Sequence, residues 1–381
     1  EEIVVAANDL IQDNKKRHEK KMVATRPYGG ILRQIDVKSR KAQYSYLLKM
    51  AKDCDRETAI LYRNNESALP LIDALEREQI PYRMKSREMT FFTHPVVTDI
   101  CDFIRLALDP YNDEAFMNIY YKMGAGISKV NATKAVEMNR RKKPLIELID
   151  DLDISPYTRK QCRALATHFI NMKGESTGKA VYRILNFMGY SAYMDEHGMD
   201  SGKSEILQLL ANQENDLRAF LPHLESLHET IAETPGNADS NLVLSTIHSS
   251  KGLEYDRVYM IDMLDGILPS GPAPKKNATD AEISLYEEER RLYYVAMTRA
   301  KSELYIFTQG LVQTSAFSKK VFDLKPKQKV VDTKNRKHDI GATKRLESYA
   351  TRFAQSLEKK KEIEAKLSDY EAGVIQSLIH I

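Results

Sequence analysis

Residues 241–262, NLVLSTIHSSKGLEYDRVYMID, establish the fold class of this protein. Two short runs of β-branched and aliphatic residues, NLVLSTI at 241–247 and RVYMIDML at 257–264, flank a polar loop. Runs of this kind predict buried strands. A third run, SELYIFT at 302–308, follows a helical pattern, EEERRLYYVAMTRAK, at 287–301. Strands that alternate with helices predict the parallel sheet of an α/β domain.

The sheet also has an upstream part. TAILYR at 58–63 and IPYRM at 80–84 predict two further strands, and the amphipathic segment SALPLIDALEREQ at 67–79 predicts a helix between them. From about 91 to 235 the apolar residues recur at helical spacing only. The sequence therefore predicts an α/β domain that is interrupted by an inserted all-α domain and then resumed.

Composition excludes several classes of protein. Hydrophobic residues make up 42% and charged residues 29% of 381 residues, which is typical of a globular protein and not of a fibrous or disordered one. No apolar run approaches the roughly 18 residues of a membrane span. Three scattered cysteines form neither a disulfide framework nor a zinc pattern, so a cytoplasmic protein is expected. The net charge of +3 permits a nucleic-acid partner without requiring one.

Two segments imitate nucleotide-binding motifs. GMDSGKSE at 198–205 ends like a phosphate-binding P-loop, but Gly198 leaves three residues before Gly202 where four are needed, and no buried strand precedes it. We interpret it as a polar loop that caps a helix, with Ser201 or Ser204 as the cap. LIELIDDLD at 145–153 resembles a strand that ends in metal-binding acids, but its apolar residues follow helical spacing.

Polar residues cluster between the strands of the opening segment. Thr246 and His248 follow the first strand, and Lys251, Gly252 and Glu254 precede the second. Ligands of open α/β sheets bind outside the carboxyl ends of the strands, so we expect these side chains to gather there. Structural alternatives remain open for three of them: Thr246 could bond to loop backbone, His248 could be a core residue, and Glu254 could pair with Lys251.

The helical pattern at 287–301 carries charge at both ends. Glu287–Glu289 are expected to open the helix, and Arg299 and Lys301 to close it, which would match the helix dipole. Arg299 continues the apolar stripe formed by Leu292, Val295 and Ala296. If Arg299 is buried on this stripe, it needs an anionic partner, either a carboxylate or a phosphate. The alternative that its side chain snorkels to solvent at the last helical turn remains open.

The chain resembles a known family over residues 1 to about 310. STIHSSKGLEY at 245–255 and EEERRLYYVAMTRA at 287–300 resemble motifs V and VI of the UvrD/Rep family of superfamily 1 DNA helicases, in the right order. ILYRNN at 60–65 resembles motif IVa, and MLDGILPS at 263–270 resembles an additional motif of the family. KMGAGISKVNATKAV at 122–136 resembles the duplex-contacting hairpin, although Ser128 replaces the usual glycine.

The resemblance implies a role for each matching residue. Arg299 would be the arginine finger on the γ-phosphate of ATP, and Glu254 would contact the nucleotide, with Lys251 and Gly252 beside it. Single-stranded DNA would be held by Thr246, His248, Arg63 and Asn65. Duplex phosphates would lie near Gly126, Ile127 and Ser128.

The resemblance also implies a domain organisation. A RecA-like domain would comprise residues 1–90 and 239–310, the inserted helical domain 91–238, and a basic, helical tail 311–381. No acceptable P-loop or strand-terminal acid pair occurs in the sequence. ATP and Mg²⁺ would therefore be held mainly by an N-terminal RecA-like domain of the same protein. We expect the chain to be about half of a motor and to lack ATPase activity alone.

The function expected from this resemblance is ATP-dependent 3′ to 5′ unwinding of DNA. The partners would be single-stranded and duplex DNA and the other RecA-like domain, with a repair or replication protein as a possible partner of the tail and no membrane. Two alternatives remain open. One is a non-catalytic DNA-binding or docking module with a helicase-like fold, and the other is a subunit of a helicase-nuclease.

Overall fold

The protein contains a single parallel sheet in the part of the chain that the structure describes. This computed structural model describes residues 1–15, 23, 30–85, 89–233 and 239–324. The strands are β1 (Ile31–Asp36), β2 (Thr58–Tyr62), β3 (Arg83–Met84), β4 (Leu242–Thr246), β5 (Tyr255–Met260) and β6 (Ala300–Thr308). They lie in the order β1-β6-β5-β2-β4-β3, and every neighbouring pair is parallel. The predicted α/β class, with a RecA-like parallel sheet, is confirmed.

Helices cover both faces of the sheet. The first group along the chain is α1 (Glu2–Ile11), α2 (Arg40–Lys52), α3 (Leu69–Arg77), α4 (Pro95–Leu108), α5 (Asp113–Ile119), α6 (Lys129–Glu137), α7 (Leu145–Leu148) and α8 (Pro156–Met172). The second group is α9 (Thr177–Phe187), α10 (Tyr190–Glu196), α11 (Ser201–Ala211), α12 (Leu217–Glu233), α13 (Asp280–Met297), α14 (Gly310–Gln313) and α15 (Ala316–Val321). Within the described ranges, short 3₁₀ helices lie at Asn65–Ala68, Tyr120–Lys122 and Ile149–Asp151.

Two hydrophobic clusters hold these layers together. On one face of the sheet, α1, α13 and α15 bury residues such as Leu10, Tyr293 and Phe317. On the other face, α2 and α3 pack on the sheet, and this cluster continues without a break into the helices between 95 and 233. Because strands such as β2 and β4 are buried on both faces, they read as continuous apolar runs rather than alternating ones.

The strands predicted at 58–63, 80–84, 241–247, 257–264 and 302–308 are all present, with ends that differ by a few residues. Sequence reasoning missed β1 and α2. The helix had a signal: Ser39 is an N-cap whose Oγ accepts from the Ala42 amide at 3.3 Å, and Tyr44, Leu47 and Ala51 form its buried stripe. The edge strand β1 is only partly buried, so its apolar pattern is weak.

The segment LIELIDDLD is helical, as its spacing indicated, whereas the predicted loop GMDSGKSE is helical from Ser201 onwards. LIELIDD forms α7 and the 3₁₀ turn after it, and Asp150 pairs with Arg159 at 2.8 Å and with Arg163 at 3.0 Å. Hydrogen bonding to Arg163 is the main cause that lowers the pKa of Asp150. SGKSE opens α11, but its cap is Asp200, whose Oδ1 accepts from the Gly202 amide at 2.9 Å, and not a serine.

The start of α13 corrects the dipole interpretation of the three glutamates. The helix begins at Asp280, where Thr279 and Glu282 form a capping box, so Glu287–Glu289 lie in its middle. Each glutamate instead has its own contact. Glu287 accepts from the Lys15 amide at 2.8 Å, Glu288 pairs with Arg291, and Glu289 lies at the site described below.

A buried ion pair joins α2 to the end of β5. Asp262 is fully buried and has a φ of +55°, a left-handed conformation that aspartate tolerates better than most residues. Its carboxylate accepts from the Arg40 guanidinium, from Gln43 Nε2 at 2.9 Å and from the Tyr44 hydroxyl at 3.4 Å. Burial raises the pKa of Tyr44, so its hydroxyl stays protonated and donates mainly to the Ser67 carbonyl at 2.8 Å, with the carboxylate as a weaker second acceptor.

The residues predicted to begin the tail continue the fold as far as Leu324. Phe317 of α15 is 2% exposed and packs on Tyr293 of α13. The helical pattern predicted further along the tail lies outside the described residues. Among the described helices, none has the length and apolar character needed to cross a membrane.

Candidate DNA and nucleotide interfaces

The sheet topology separates residues that the sequence groups together. Strands β4 and β5 are both parallel to β2, so residues 247–254 must return from the carboxyl edge of the sheet to the amino edge. Thr246 ends β4 at the carboxyl edge, whereas Glu254 directly precedes β5 at the amino edge. The expectation that these polar residues gather at one edge is therefore wrong, and the molecule presents two candidate sites.

A polar cleft of about 490 Å³ lies at the carboxyl edge. The strand register aligns Tyr62 with Thr246, so the residues that follow β2 and β4 meet across the cleft. All four residues predicted to hold single-stranded DNA line it, namely Arg63, Asn65, Thr246 and His248. We call this the carboxyl-edge cleft.

Thr246 and His248 differ in whether their side chains are available to a ligand in the cleft. Thr246 Oγ1 accepts from the Ser249 amide at 3.1 Å and donates to the Ser249 hydroxyl at 2.9 Å, so it satisfies loop backbone as the structural alternative foresaw. His248 is exposed, so the alternative of a core histidine is wrong. Partial burial, and then the neighbouring Arg63, lower the pKa of His248, which favours a neutral imidazole near pH 7.

Arg63 is held by a carboxylate that sequence reasoning did not assign to the site. Arg63 Nη2 donates to Glu289 Oε1 at 3.0 Å, and Glu289 Oε2 accepts from the Ser270 amide at 3.3 Å. Glu289 thereby connects α13, the loop after β5 and the end of β2. The buried Arg63 Nε has no hydrogen-bond partner among the described residues, which leaves one donor for a further acceptor.

Arg299 lies at the amino edge, in the turn between α13 and β6. The helix ends at Met297 because Thr298 Oγ1 bonds back to the Val295 carbonyl at 2.9 Å and the Arg299 carbonyl accepts from the Tyr255 amide of β5. The expectation of a fully buried Arg299 on the helix stripe is therefore wrong. Its side chain is half-buried and its backbone has already entered the sheet.

The Arg299 guanidinium contacts only neutral acceptors in the described part of the chain. Nε donates to the Val295 carbonyl at 3.0 Å, Nη1 to the Leu253 carbonyl at 2.9 Å and Nη2 to Thr298 Oγ1 at 2.9 Å. These bonds fix the planar group against the loop that precedes β5. Its positive charge has no carboxylate partner there, so the arrangement fits a phosphate supplied from outside the domain.

The loop before β5 is accessible. Lys251, Gly252 and Glu254 are exposed, and the described residues include no ion pair between Lys251 and Glu254. Gly252 has a φ of +84°, a conformation that other residues rarely adopt. A Cβ atom there would meet nothing within 4 Å, so this glycine is needed for the shape of the turn rather than for space. The carbonyl of Leu253, the residue before Glu254, accepts from Arg299 Nη1 at 2.9 Å.

The predicted duplex-contacting loop has two exposed residues and one buried one. Gly126 is exposed with a φ of +66°, and exposed Ser128 caps α6 by accepting from the Asn131 amide at 3.2 Å. Ile127 is 6% exposed, so its side chain is a core residue and could meet DNA only through its backbone. The serine in place of glycine thus has a local role as a helix cap.

Comparison with known proteins agrees with these motifs. The family model described as the UvrD-like helicase C-terminal domain matches residues 1–173 and 157–310. A putative ATP-dependent DNA helicase of Bacillus subtilis is 25% identical over 317 residues, covering 80% of this chain and 41% of the relative. The Rep ATP-dependent DNA helicase of Buchnera aphidicola is 26% identical, covering 80% of this chain and 50% of the relative.

A third relative gives the same result. DNA helicase II of Rickettsia typhi is 26% identical over 343 residues, covering 84% of this chain and 50% of the relative. The chain thus spans about half the length of the curated relatives that it matches. The two matches to the family model together extend over most of the chain. The chain belongs to the UvrD-like helicase C-terminal domain family.

Proposed function

We propose that this chain is the C-terminal part of an ATP-dependent DNA helicase and translocase that moves 3′ to 5′ on single-stranded DNA. Its α/β part would be the second RecA-like domain, divided into residues 1–90 and 239–310, and residues 91–238 would be an inserted helical domain. Membership of the family and the names of the matched relatives support the activity. The polarity rests on the family resemblance.

The observation that carries the proposal is the half-buried Arg299 guanidinium without a carboxylate partner in the described residues. Most arginines of this fold contact an acid, as Arg40 does with Asp262 and Arg63 with Glu289. Arg299 instead is oriented by three neutral acceptors at the edge of the sheet. A fixed cation of this kind is suited to stabilise charge that develops on a transferred phosphoryl group.

ATP with Mg²⁺ would supply the phosphoryl transfer that powers movement, and both would be held mainly by another RecA-like domain. In this chain, Arg299 would donate to the γ-phosphate and Glu254 would accept from the nucleotide, with the exposed Lys251 and Gly252 in the same loop. The contact between Arg299 and the Leu253 carbonyl supports joint action of Glu254 and Arg299, because it fixes the loop relative to the guanidinium.

DNA would bind at the opposite edge of the sheet. Arg63, Asn65 and His248 would contact the phosphate backbone and bases in the carboxyl-edge cleft, and Thr246 would shape its floor. Contacts of this kind tolerate any sequence and weaken with salt. The loop at 126–128 would approach duplex phosphates ahead of the cleft. Closure of the two RecA-like domains around ATP would then alternate the grip on the strand.

We predict that ATP turnover stimulated by single-stranded DNA requires more than this chain. The 381-residue chain alone should hydrolyse ATP at no more than the background rate, because Arg299 has no phosphate-binding loop to complete. The full-length protein should show DNA-stimulated turnover. A coupled phosphate-release assay with and without an oligothymidylate measures both.

This assay, combined with measurements of DNA binding and DNA cleavage by the full-length protein, separates the alternatives. A full-length protein that binds single-stranded DNA but never hydrolyses ATP would favour a non-catalytic DNA-binding module. Metal-dependent DNA cleavage by the full-length protein would favour a helicase-nuclease. Turnover by the isolated chain would contradict the proposed division of the ATP site.

A further inference from the structure

Lys203 supplies a second cation to the carboxyl-edge cleft, in addition to Arg63. It comes from α11 in the helical block, more than a hundred residues along the chain from Arg63, and lines the same cleft as Arg63, Asn65 and His248. Its side chain is 13% exposed. The segment that imitates a P-loop in the sequence therefore belongs to the proposed DNA site and not to a nucleotide site.

Helix α11 fixes the position of Lys203. Asp200 caps the helix, and the buried Leu207 and Leu210 anchor it in the core. Glu205, on the next exposed position, pairs with Arg40 at 3.3 Å, which ties this end of α11 to the first residue of α2. The lysine thus extends into the cleft from a rigid support, so its ammonium group has few alternative positions.

Each cation of the cleft contacts a carboxylate in this structure. Lys203 Nζ pairs with Glu66 Oε1 and lies 3.8 Å from Asp200 Oδ2, and Arg63 pairs with Glu289. Glu66 and Asp200 also line the cleft. Two cations and two lining carboxylates leave the cleft wall without an excess of positive charge. A phosphate backbone that enters must therefore compete with a carboxylate for its partner.

We propose that Lys203 binds a backbone phosphate of single-stranded DNA and that Glu66 competes with that phosphate for the ammonium group. On binding, Lys203 exchanges the Glu66 carboxylate for a phosphate oxygen, and Glu66 becomes solvated. The exchange lowers the affinity and makes it easier for the strand to leave, which suits a protein that must release each nucleotide as it moves. This inference rests on the proposed function, since it assumes that DNA occupies the cleft.

Titration of a fluorescent oligothymidylate, read by anisotropy at low salt, tests the exchange in the full-length protein. Lys203→Met removes a phosphate contact and is expected to weaken binding about five- to tenfold. Glu66→Gln removes both the competitor and its repulsion of the strand and is expected to tighten binding about three- to tenfold. In the Lys203→Met background, Glu66→Gln should have a clearly smaller effect, because its main partner is gone.

Salt dependence distinguishes direct contact from a structural role. If Lys203 binds phosphate, the slope of log affinity against log salt should become less steep by about 0.7 in Lys203→Met, the value for one phosphate on a single strand. A lysine that only supports the fold would weaken binding without changing this slope. Lys203→Arg keeps the charge and should keep the slope.

The exposed pair Lys52–Glu78, joined at 2.9 Å away from the cleft lining, provides matched controls. Lys52→Met changes the net charge as Lys203→Met does, and Glu78→Gln changes it as Glu66→Gln does. Both control variants should bind the oligothymidylate with an affinity within about twofold of the wild type. Wild-type binding with no response to either cleft variant, or an equal Glu66→Gln effect in both backgrounds, overturns the exchange and leaves the proposed function intact. Failure of the wild type to bind single-stranded DNA overturns both.

Discussion

Replacement of Arg299 by alanine is expected to lower ATP turnover of the full-length protein by about 10³-fold or more. The guanidinium is held by Val295, Leu253 and Thr298 and contacts no carboxylate in the described residues. Its loss would remove a preorganised positive charge from the transition state without leaving an unpaired acid behind. Steady-state turnover in the presence of saturating single-stranded DNA measures the effect.

The DNA affinity of Arg299→Ala should change little, because the carboxyl-edge cleft lies at the other edge of the sheet. Anisotropy with a labelled oligothymidylate checks this. Arg299→Lys keeps a charge but not the planar fork of donors, so turnover should recover only in part.

Arg56→Ala is a matched control for this experiment. Arg56 also lies at the amino edge, directly before β2, but it is exposed and paired with Asp55 and Glu303. Its removal should leave turnover nearly unchanged. Equal turnover by Arg299→Ala and the wild type would contradict the role of Arg299.

Replacement of Asp262 by alanine is expected to destabilise the domain by about 3 to 5 kcal/mol. The Arg40 side chain is only 10% exposed, and the change leaves its positive charge without its main partner. The change also removes the carboxylate oxygen that accepts a hydrogen bond from Gln43. Alanine is in addition less tolerant than aspartate of the positive φ at this position. Urea unfolding followed by circular dichroism measures the loss as a lower midpoint.

Two comparison variants make this prediction specific. Glu78→Ala breaks an exposed ion pair, and such pairs contribute little, so the midpoint should move only slightly. Arg40→Met combined with Asp262→Asn removes both charges and should recover a large part of the lost stability. An Asp262→Ala midpoint no lower than that of Glu78→Ala would contradict the role of this pair in joining α2 to β5.

The sequence alone predicts the strands of the core well, for a physical reason. Strands buried on both faces of a parallel sheet are apolar over most of their length, and β2, β4 and the end of β5 follow this pattern. The partly buried edge strand β1 lacks that pattern and was missed. Long specific patterns such as STIHSSKGLEY also indicate the family.

Local sequence patterns also gave wrong predictions for both ends of α13, because contacts with other segments set where this helix begins and ends. The three glutamates of α13 have the composition of a helix start, but the Thr279 capping box begins the helix about two turns earlier. Arg299 has the spacing of a buried helix stripe, but pairing of the following residues with β5 ends the helix first. Helical periodicity does not show where hydrogen bonding to a neighbouring strand ends the helix.

The sequence by itself thus determined the α/β class and the family, and it predicted the run of helices between β3 and β4 and the residues proposed to carry chemistry. Only the tertiary structure decided how those residues are divided between two edges and which carboxylates accompany them. Arg63 and Glu289 are 226 residues apart, and Lys203 and Glu66 are 137 apart. Such pairs depend on strand order and helix packing, which bring distant segments together, whereas the patterns of a sequence describe only what is near along the chain.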